Sequence, residues 1–507
     1  MATNHALKPS WQETEAELNA ILASQPAEFQ SLIDPLKAAS VSYASEIAHL
    51  KRFVEMWRSD PAFRETYAAS RSPAFLEEYG VKVESEAARY VLERSLTGKV
   101  DPESPGMPLV ARRHRFFMRE KLLHREKLRS VGCAPVEPRH KAWRERQIRR
   151  SVGHLGPLFS ESIIHAPFAI EITDGCSVGC WFCGISAEKK KSDFAYTEPN
   201  AALWKSVLTT LRARIGESAG SGFLYWASDP MDNPDYEKLA LDFANICGRF
   251  PQTTTAIAHK DVERTRALLR LSSEHGCTIN RFSVLSLGQF KKIMEAFTPE
   301  ELLHCEIIGQ HAESSNIQSN AGRARNSSRL RERAGSKGES AAQFTEGIGT
   351  IACVSGWLIN MPRRSLRLIT PCPASDRWPN GYWTLEEGHF ETAADLEALM
   401  EAMTRRHMKS SIRAANIPRF RADLEFQATE EGFVLRAAGC VTTFKGVGQA
   451  AFGKTIAEGC RTAAEIALQM EKEFEVPMED TFTNLNNLFD GGFLDEEPAF
   501  TQTVSAS

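Results

Sequence analysis

The sequence predicts an α/β protein in three parts: a helical N-terminal region, a partial (β/α)6 TIM barrel and a C-terminal winged helix. Up to about residue 150, apolar residues recur three or four apart, and no alternating strand pattern interrupts them. From His154, short β-rich runs alternate with helical patterns, which is typical of a βα-repeat domain with a parallel sheet. From Pro418, a hairpin pattern precedes three short helices, which is typical of a winged helix. A length of 507 residues has room for these parts, since domains average about 150 residues.

The helical region is predicted to span 1–150, the barrel 151–392, a linking helix 393–417 and the winged helix 418–507. The first helices are expected at Trp11–Ser24, Tyr43–Trp57 and Glu84–Glu93. The six expected barrel strands are Phe168–Thr173, Gly222–Ala227, Thr254–Ala258, Arg281–Leu285, Glu306–Gly309 and Ser365–Ile369. Active sites of such barrels lie at the carboxyl ends of the strands. Ala312–Phe344 has no periodicity and predicts a long loop over that end.

The composition indicates a globular protein that does not enter a membrane. Hydrophobic residues make up 42% and charged residues 25%, and the mean hydropathy is -0.32. No uncharged apolar run reaches the length of about 18 residues that a spanning helix needs. The first 30 residues contain Glu13, Glu15 and Glu17 but no apolar signal segment, so we expect a cytoplasmic location. In a cytoplasmic protein, the eleven cysteines of this chain indicate metal ligands, reactive thiols or buried thiols rather than disulfides.

Charge is distributed unevenly although the net charge is only -4. Arg112–Arg150 contains 14 Lys and Arg against 4 Asp and Glu, whereas Pro418–Glu497 contains 7 against 15. The basic stretch fits three alternatives: a surface that follows an RNA backbone, an amphipathic helix with a solvated face, or a clamp for an acidic leader peptide or the acidic C-terminal unit. The acidic C-terminal unit would repel a phosphate backbone, so a nucleic-acid partner is not expected there.

The strongest motif is Cys176-x3-Cys180-x2-Cys183, directly after the first predicted strand. Three thiolates on one short loop can hold three irons of a 4Fe-4S cluster and leave the fourth iron open to a small molecule. A zinc site would need a fourth ligand, and no second C-x2-C or H-x3-5-H pattern follows. We therefore expect a single iron-sulfur cluster.

This motif, with Phe182 before the last cysteine, resembles the radical S-adenosylmethionine superfamily over residues 154–390. The resemblance implies that the open iron binds S-adenosylmethionine, which is cleaved to a 5′-deoxyadenosyl radical after reduction by a donor such as flavodoxin or ferredoxin. It places Phe182 near the adenine. The turn that holds the methionine amino group matches Ala227-Ser228-Asp229-Pro230, with Asp229 as the acceptor, although the usual glycines are replaced. Two further residues each have two interpretations. Ser283 would contact the ribose or the carboxylate of the cofactor, or it is an ordinary barrel serine. Arg323 would pair with the methionine carboxylate, or it is an exposed loop arginine.

The C-terminal pattern, including Gly459-Cys-Arg-Thr-Ala-Ala-Glu-Ile-Ala, resembles the PqqD-type element that recognises precursor peptides. Such elements bind a leader peptide as an extra strand at the hairpin edge. The alternative is a small accessory domain that only packs on the barrel. A radical barrel joined to this element resembles maturases of ribosomally made precursor peptides.

Within these maturases, the runs Ile170–Gly184 and Tyr225–Pro230 are most similar to peptide epimerases of proteusin maturation, of the polytheonamide epimerase type. That resemblance implies conversion of L- to D-residues by removal of the Cα hydrogen and return of hydrogen from a cysteine thiol. Cys372, in Thr370-Pro-Cys-Pro beyond the strand Ser365–Ile369, takes the role of donor; its alternative is a structural buried cysteine. Two other reactions stay open: peptide crosslinking through a C-S or C-C bond, and RNA modification.

Overall fold

The computed structural model describes residues 10–34, 39–93, 106–311, 313–314, 319–325, 349–438 and 440–498. Most of the predicted loop Ala312–Phe344 lies outside these ranges. The described helices are α1 Trp11–Ser24, α2 Val41–Ser59, α3 Pro61–Ser70, α4 Pro73–Glu78, α5 Ser85–Glu93, α6 Leu109–Lys127, α7 Pro138–Ser160, α8 Glu198–Ile215, α9 Tyr236–Cys247, α10 Val262–Glu274, α11 Leu287–Ala296, α12 Ala393–His407, α13 Gln449–Glu458, α14 Ala463–Phe474 and α15 Met478–Asp490. The described strands are β1 Ala166–Glu171, β2 Thr173–Asp174, β3 Ser192–Asp193, β4 Thr254–Thr255, β5 Asn280–Val284, β6 Cys305–Gly309, β7 Val354–Asn360, β8 Ser365–Pro371, β9 Tyr382–His389, β10 Glu425–Thr429, β11 Gly432–Ala437 and β12 Cys440–Lys445.

The N-terminal region is helical, as the apolar periodicity predicts. A capping box between Ser10 and Glu13 starts α1 at the predicted residue. Helices α2 to α5 share one apolar core with β5, β6 and α11, so this region packs directly on the α/β part. The predicted boundary at residue 150 falls inside α7, which continues to Ser160 after a kink at Gly156 and Pro157.

The α/β part is mixed, and its strands do not form one continuous barrel sheet. The described strands form a sheet in the order β1-β7-β8-β9 and a separate parallel sheet β4-β5-β6, besides a short ladder of β2 with β3. The predicted strand Gly222–Ala227 is reduced to one parallel bridge between Phe223 and Ala169. The prediction of an α/β fold is confirmed, whereas the continuous partial (β/α)6 barrel is not what the described strands show.

Two strands that the sequence analysis missed explain the difference. All seven residues of β7 are buried, so its sequence lacks the alternation of a half-exposed strand. β7 pairs in parallel with β1, and only four residues separate it from β8. A connection of four residues is too short for a parallel crossover, so β8 runs antiparallel to β7, and β9 runs antiparallel to β8.

The C-terminal unit combines the antiparallel sheet β10-β11-β12 with α13, α14 and α15 around its own apolar core. The predicted hairpin and three helices are confirmed, and β12 is an additional strand. Thr462 caps α14 in a capping box with Glu465. Leu494 closes the unit through an antiparallel bridge to Phe420.

Several cations of the basic stretch Arg112–Arg150 bind acidic parts of the same chain. Those on α6 reach the preceding helices through Arg113–Glu46 at 2.6 Å, Arg119–Glu17 at 3.7 Å and Lys127–Glu15 at 2.7 Å. On α7, Arg146 pairs with Glu496 of the acidic C-terminal unit at 3.0 Å. Arg146 therefore binds the chain's own C-terminal unit, as one of the three alternatives expects, whereas the pairs on α6 join the N-terminal helices. The function of the stretch stays a prediction. Across the described residues, no helix has the length and apolar character needed to span a bilayer.

Candidate active site

A cavity of about 590 Å³ opens where β4, β5 and β6 end, beside the cysteine loop. Its wall contacts both sheets of the α/β part, because Trp226 packs with residues of β1, β7 and β8, and Asp229 accepts a hydrogen bond from Thr255 of β4. Seven of the nine predicted site residues line this cavity: Cys176, Cys180, Phe182, Cys183, Ser228, Asp229 and Ser283. Arg323 and Cys372 are not among its lining residues. Its volume falls within the range of about 300–1,000 Å³ that is usual for small-molecule sites.

The cysteine loop is anchored to the segment that follows it. Cys176 N–H donates to Glu188 O at 2.9 Å, and Lys190 N–H donates to Cys176 O at 3.2 Å. Gly175, at φ 83°, starts the loop in the left-handed region, where a Cβ would lie 2.3 Å from Lys189 O. The chain therefore requires glycine directly before the first cysteine.

Backbone amides point at two of the three sulfurs. Val178 N–H lies 3.5 Å from Cys176 Sγ, and Ala187 N–H lies 3.3 Å from Cys183 Sγ. Burial and the neighbouring Cys176 and Cys183 thiolates together raise the pKa of Cys180 to about 11. The three sulfurs therefore share one electrostatic environment, in which a bound cation would stabilise all three thiolates.

The three cysteines fit an iron-sulfur cluster better than a single ion. Nowhere in the described ranges do three His, Cys, Asp or Glu side chains converge closely enough to hold one metal ion. In a 4Fe-4S cluster, each thiolate binds a different iron, so the sulfurs need not converge on one point. Cys176, Cys180 and Cys183 line one cavity, and the N–H groups near two of the sulfurs are the hydrogen bonds by which proteins tune such clusters.

The predicted cofactor turn Ala227–Pro230 is held by the protein on both sides. Asp229 accepts hydrogen bonds from Thr255 Oγ1 at 2.8 Å and from Ala256 N–H at 2.7 Å, and burial raises its pKa to about 6. The buried carboxylate of Glu171, at the end of β1, accepts from Ala227 N–H at 3.0 Å. Much of the acceptor capacity of Asp229 is therefore used to fix the turn, and its role toward an amino group stays a prediction.

Three residues of the cavity wall carry buried donors without partners. Trp226 Nε1, Ser228 Oγ and Ser319 Oγ are buried, and none has a hydrogen-bond partner among the described residues. All three residues line the cavity. Buried polar groups are rarely left unpaired in folded proteins, so this wall fits a ligand with polar acceptors.

The other predicted cofactor residues lie around the rim. Phe182 packs edge-on against Trp181, with ring centroids 5.4 Å apart. Ser283 lies on β5 and faces the cavity. Arg323 is exposed, but its backbone N–H donates to Cys183 O at 2.9 Å. Its positive charge opposes part of the rise in the pKa of Cys180. Arg323 therefore lies beside the cysteine loop, and its pairing with a carboxylate stays a prediction.

Cys372 lies directly after β8 and is not among the residues that line the cavity. It is 1% exposed, and burial raises the pKa of its thiol to about 12, so the sulfur keeps its proton. Its N–H and the hydroxyl of Thr350, a cavity residue, both donate to Gly381 O, at 3.0 and 2.6 Å. The thiol is therefore close to the wall, but it does not form part of it.

A buried polar network surrounds the end of β8. The Arg150 guanidinium donates to Pro371 O at 2.6 Å and stacks 3.8 Å from the centre of the Trp383 ring. Arg150 also lies 2.8 Å from His154 Nδ1, and His154 Nε2 lies 2.9 Å from Asp423 of the C-terminal unit. Because an arginine only donates, His154 accepts from Arg150 and donates to Asp423. Contacts thus run from the C-terminal unit to the residue before Cys372.

Part of the cavity lining has no motif in the sequence. Thr254, Gln310 and Thr350 lie at strand ends or in loops. Phe159 comes from the far end of α7, beyond the kink at Pro157. Their only signal in the sequence is position, because residues at the carboxyl ends of predicted parallel strands are expected at the active edge.

The chain is 38% identical over 456 residues to the uncharacterized protein y4wI of Sinorhizobium fredii, across 89% of this chain and 88% of that protein. This chain belongs to the y4wI family. No protein-family model matches it. A crystal structure of BtrN in complex with AdoMet and 2-DOIA overlaps 40% of this chain and 72% of that chain, with a TM-score of 0.27 and 14% identity.

Proposed function

We propose that this member of the y4wI family is a radical S-adenosylmethionine enzyme. Cys176, Cys180 and Cys183 would hold one 4Fe-4S cluster, and the cofactor would lie in the cavity that they line. The main support is that one cavity contains all three cysteines of the C-x3-C-x2-C motif together with three unpaired buried donors. When bound, the cluster and its cofactor supply a carbon-centred radical that removes hydrogen from a substrate.

The protein residues would bind and orient the cofactor. Trp226 Nε1 and the Ser228 hydroxyl are donors for its polar acceptors, and Phe182 and Ile185 give the cavity apolar surface. Glu171 and Thr255 hold the turn that carries Asp229, so this carboxylate is fixed before any ligand arrives. A fixed site loses less entropy on binding than a mobile one.

Anaerobic reconstitution tests the cluster. We expect the wild-type protein to bind four irons and to release 5′-deoxyadenosine from S-adenosylmethionine under reducing conditions. Cys176→Ala, Cys180→Ala and Cys183→Ala should each lose the cluster absorption and the product. Cys460→Ala, at an exposed cysteine outside the cavity, is the control and should keep both. A Cys180 variant with full cofactor cleavage would refute the assignment.

For the reaction, we propose epimerisation of residues in a ribosomal precursor peptide, with Cys372 as the hydrogen donor. A thiol donates hydrogen only when it is protonated, and burial keeps Cys372 protonated far above neutral pH. Its N–H and the hydroxyl of Thr350, a residue that lines the cavity, share the acceptor Gly381 O, which supports a location near the proposed radical site. The thiol would have to reach the cavity when the peptide is bound.

Product mass in deuterated water tests this reaction. The thiol hydrogen exchanges with solvent, so each inverted residue should gain one deuterium and appear as a D-residue after hydrolysis. Cys372→Ala should keep cofactor cleavage and lose D-residues, while Cys460→Ala should keep both. A product that has lost hydrogens would instead indicate crosslinking, and an unchanged yield of D-residues from Cys372→Ala would exclude this thiol as the donor.

For the partner, we propose that the leader of the precursor peptide adds a strand to the C-terminal sheet. β12 is an edge strand of that sheet, and its Val441 side chain is 60% exposed. Exposed edge strands are templates for strand addition. Val441→Glu should weaken binding of a labelled leader peptide in an anisotropy titration, whereas Val131→Glu, at a 53% exposed valine outside this sheet, should not. Equal affinity of both variants would contradict this binding mode.

A further inference from the structure

A second cavity, of about 470 Å³, lies at the opposite end of the same strands. Its lining includes Arg281 at the start of β5, Glu306 at the start of β6 and Cys353 just before β7. Helix α6 of the basic stretch covers it with Lys121 and Arg125. Phe223 lines the second cavity and Tyr225 lines the first, so the segment that contains them lies between the two cavities. The two cavities share no lining residue, and a ligand in one would not contact the wall of the other.

This second cavity contains more positive than negative groups. Four cations line it, Lys121, Arg125, Arg249 and Arg281, against the single carboxylate of Glu306. Burial opposes ionisation of Glu306, but Lys121 at 2.9 Å and Arg281 at 3.0 Å outweigh it and lower its pKa to about 2. Glu306 therefore already forms ion pairs with two of the four cations, Lys121 and Arg281.

The other two cations have no counter-ion among the described residues. Arg125 makes no ion pair there, and its Nε is buried without a hydrogen-bond partner. Arg249 also makes no ion pair there, and its charge helps burial to lower the pKa of the adjacent His124 to about 4. A buried guanidinium nitrogen without an acceptor is costly, and two unpaired cations at one cavity repel each other.

We infer that this second cavity is a binding site for a small organic anion, with a phosphate or carboxylate head held by Arg125 and Arg249. Guanidinium groups match the planar, paired oxygens of such heads. The remaining lining is mostly apolar and includes Leu122, Ile164 and Phe250, which fits an apolar or aromatic body. The inference does not depend on the proposed reaction, because none of the three cluster cysteines lines this cavity.

Calorimetric titration of the full-length protein tests the site. Phenyl phosphate and phenylacetate are the probes for the two head groups, and benzyl alcohol is the uncharged control. We expect at least one of the two anions to bind, benzyl alcohol not to bind, and Arg125→Gln with Arg249→Gln to weaken the anion by about tenfold or more. Lys141→Gln, at an exposed cation of α7 outside the cavity, should leave the affinity unchanged.

Thermal unfolding separates this role from a structural one. Without ligand, Arg125→Gln should not lower the melting temperature, because it removes a cation that has no partner. With the anion, the rise in melting temperature of the wild-type protein should be lost in this variant. Absence of binding by either probe, unchanged affinity in the double variant, or binding of short single-stranded RNA in place of both probes would each overturn the inference.

Discussion

At the scale of single residues, the conformation of the cysteine loop depends on two glycines that differ in their surroundings. Gly175 and Gly179 both have positive φ, of 83° and 66°. A Cβ at Gly175 would meet Lys189 O at 2.3 Å, whereas one at Gly179 would meet no atom within 4 Å. An alanine at Gly179 would therefore introduce backbone strain alone, whereas an alanine at Gly175 would add a steric clash.

We predict that Gly175→Ala displaces the loop and loses most of its iron on reconstitution, while Gly179→Ala keeps it. The second variant should cost only the left-handed strain of about 1–2 kcal/mol in unfolding free energy. Iron content and urea unfolding of both variants measure the difference. Equal iron content would mean that the loop tolerates a shift of the segment at Lys189.

At the scale of elements, α7 connects the α/β part to the C-terminal unit through a buried ion pair. The Arg146 side chain is 1% exposed, stacks 3.9 Å from the Phe489 ring centre and pairs with Glu496 at 3.0 Å. On the same helix, exposed Arg149 and Glu145 pair at 3.9 Å. Both contacts are ion pairs, so we expect the difference in their burial to determine how much unfolding free energy is lost when each is broken.

We predict that Glu496→Gln lowers the unfolding free energy by about 3 kcal/mol, because a buried arginine loses its counter-charge. Glu145→Gln should change it by less than about 1 kcal/mol. Urea unfolding measures both, and limited proteolysis should cut the Glu496 variant faster in the segment between α12 and β10. Similar costs for the two variants would show that Glu496 does not stabilise the docked unit.

Sequence patterns predicted the local features of these elements but not the contacts between them. The cysteine motif and the bounds of α1, α2 and α5 depend on neighbours within a few residues. In contrast, Arg146 and Glu496 are 350 residues apart, and the wholly buried β7 has no alternating pattern. Cys372 was expected at the active face; it is buried and is not among the residues that line the cavity, and its role stays a prediction.

At the scale of the whole molecule, buried histidines connect the α/β part to both flanking regions. Burial lowers the pKa of several of them, to about 3 for His114 and to about 4 for His124, His140, His154 and His304. They lie on α6, on α7 and in the segment before β6. Folding therefore keeps these imidazoles neutral, whereas the unfolded chain protonates them near pH 6.5.

We predict that this protein loses stability on mild acidification, well above the range in which its ion-paired carboxylates titrate. Between about pH 6.5 and pH 4 the unfolded chain binds more protons than the folded one at each of these histidines, so the unfolding free energy falls as pH falls. Three carboxyls whose pKa burial raises oppose this with the other sign, namely Asp229, with a pKa of about 6, Glu171 and Asp495, but they are fewer than the five histidines. Glu306, with a pKa lowered to about 2, loses its contribution only below about pH 4.

Urea unfolding at pH 7 and pH 5 should therefore give a lower free energy at pH 5, by about 1 kcal/mol for each buried histidine. His114→Gln should reduce the difference in free energy between pH 7 and pH 5 by the contribution of one histidine. His114 Nδ1 has no hydrogen-bond partner in the described structure, so the substitution breaks no hydrogen bond at that atom. A pH-independent free energy would mean that the unfolded chain does not gain these protons, and that the histidines are not held neutral by burial.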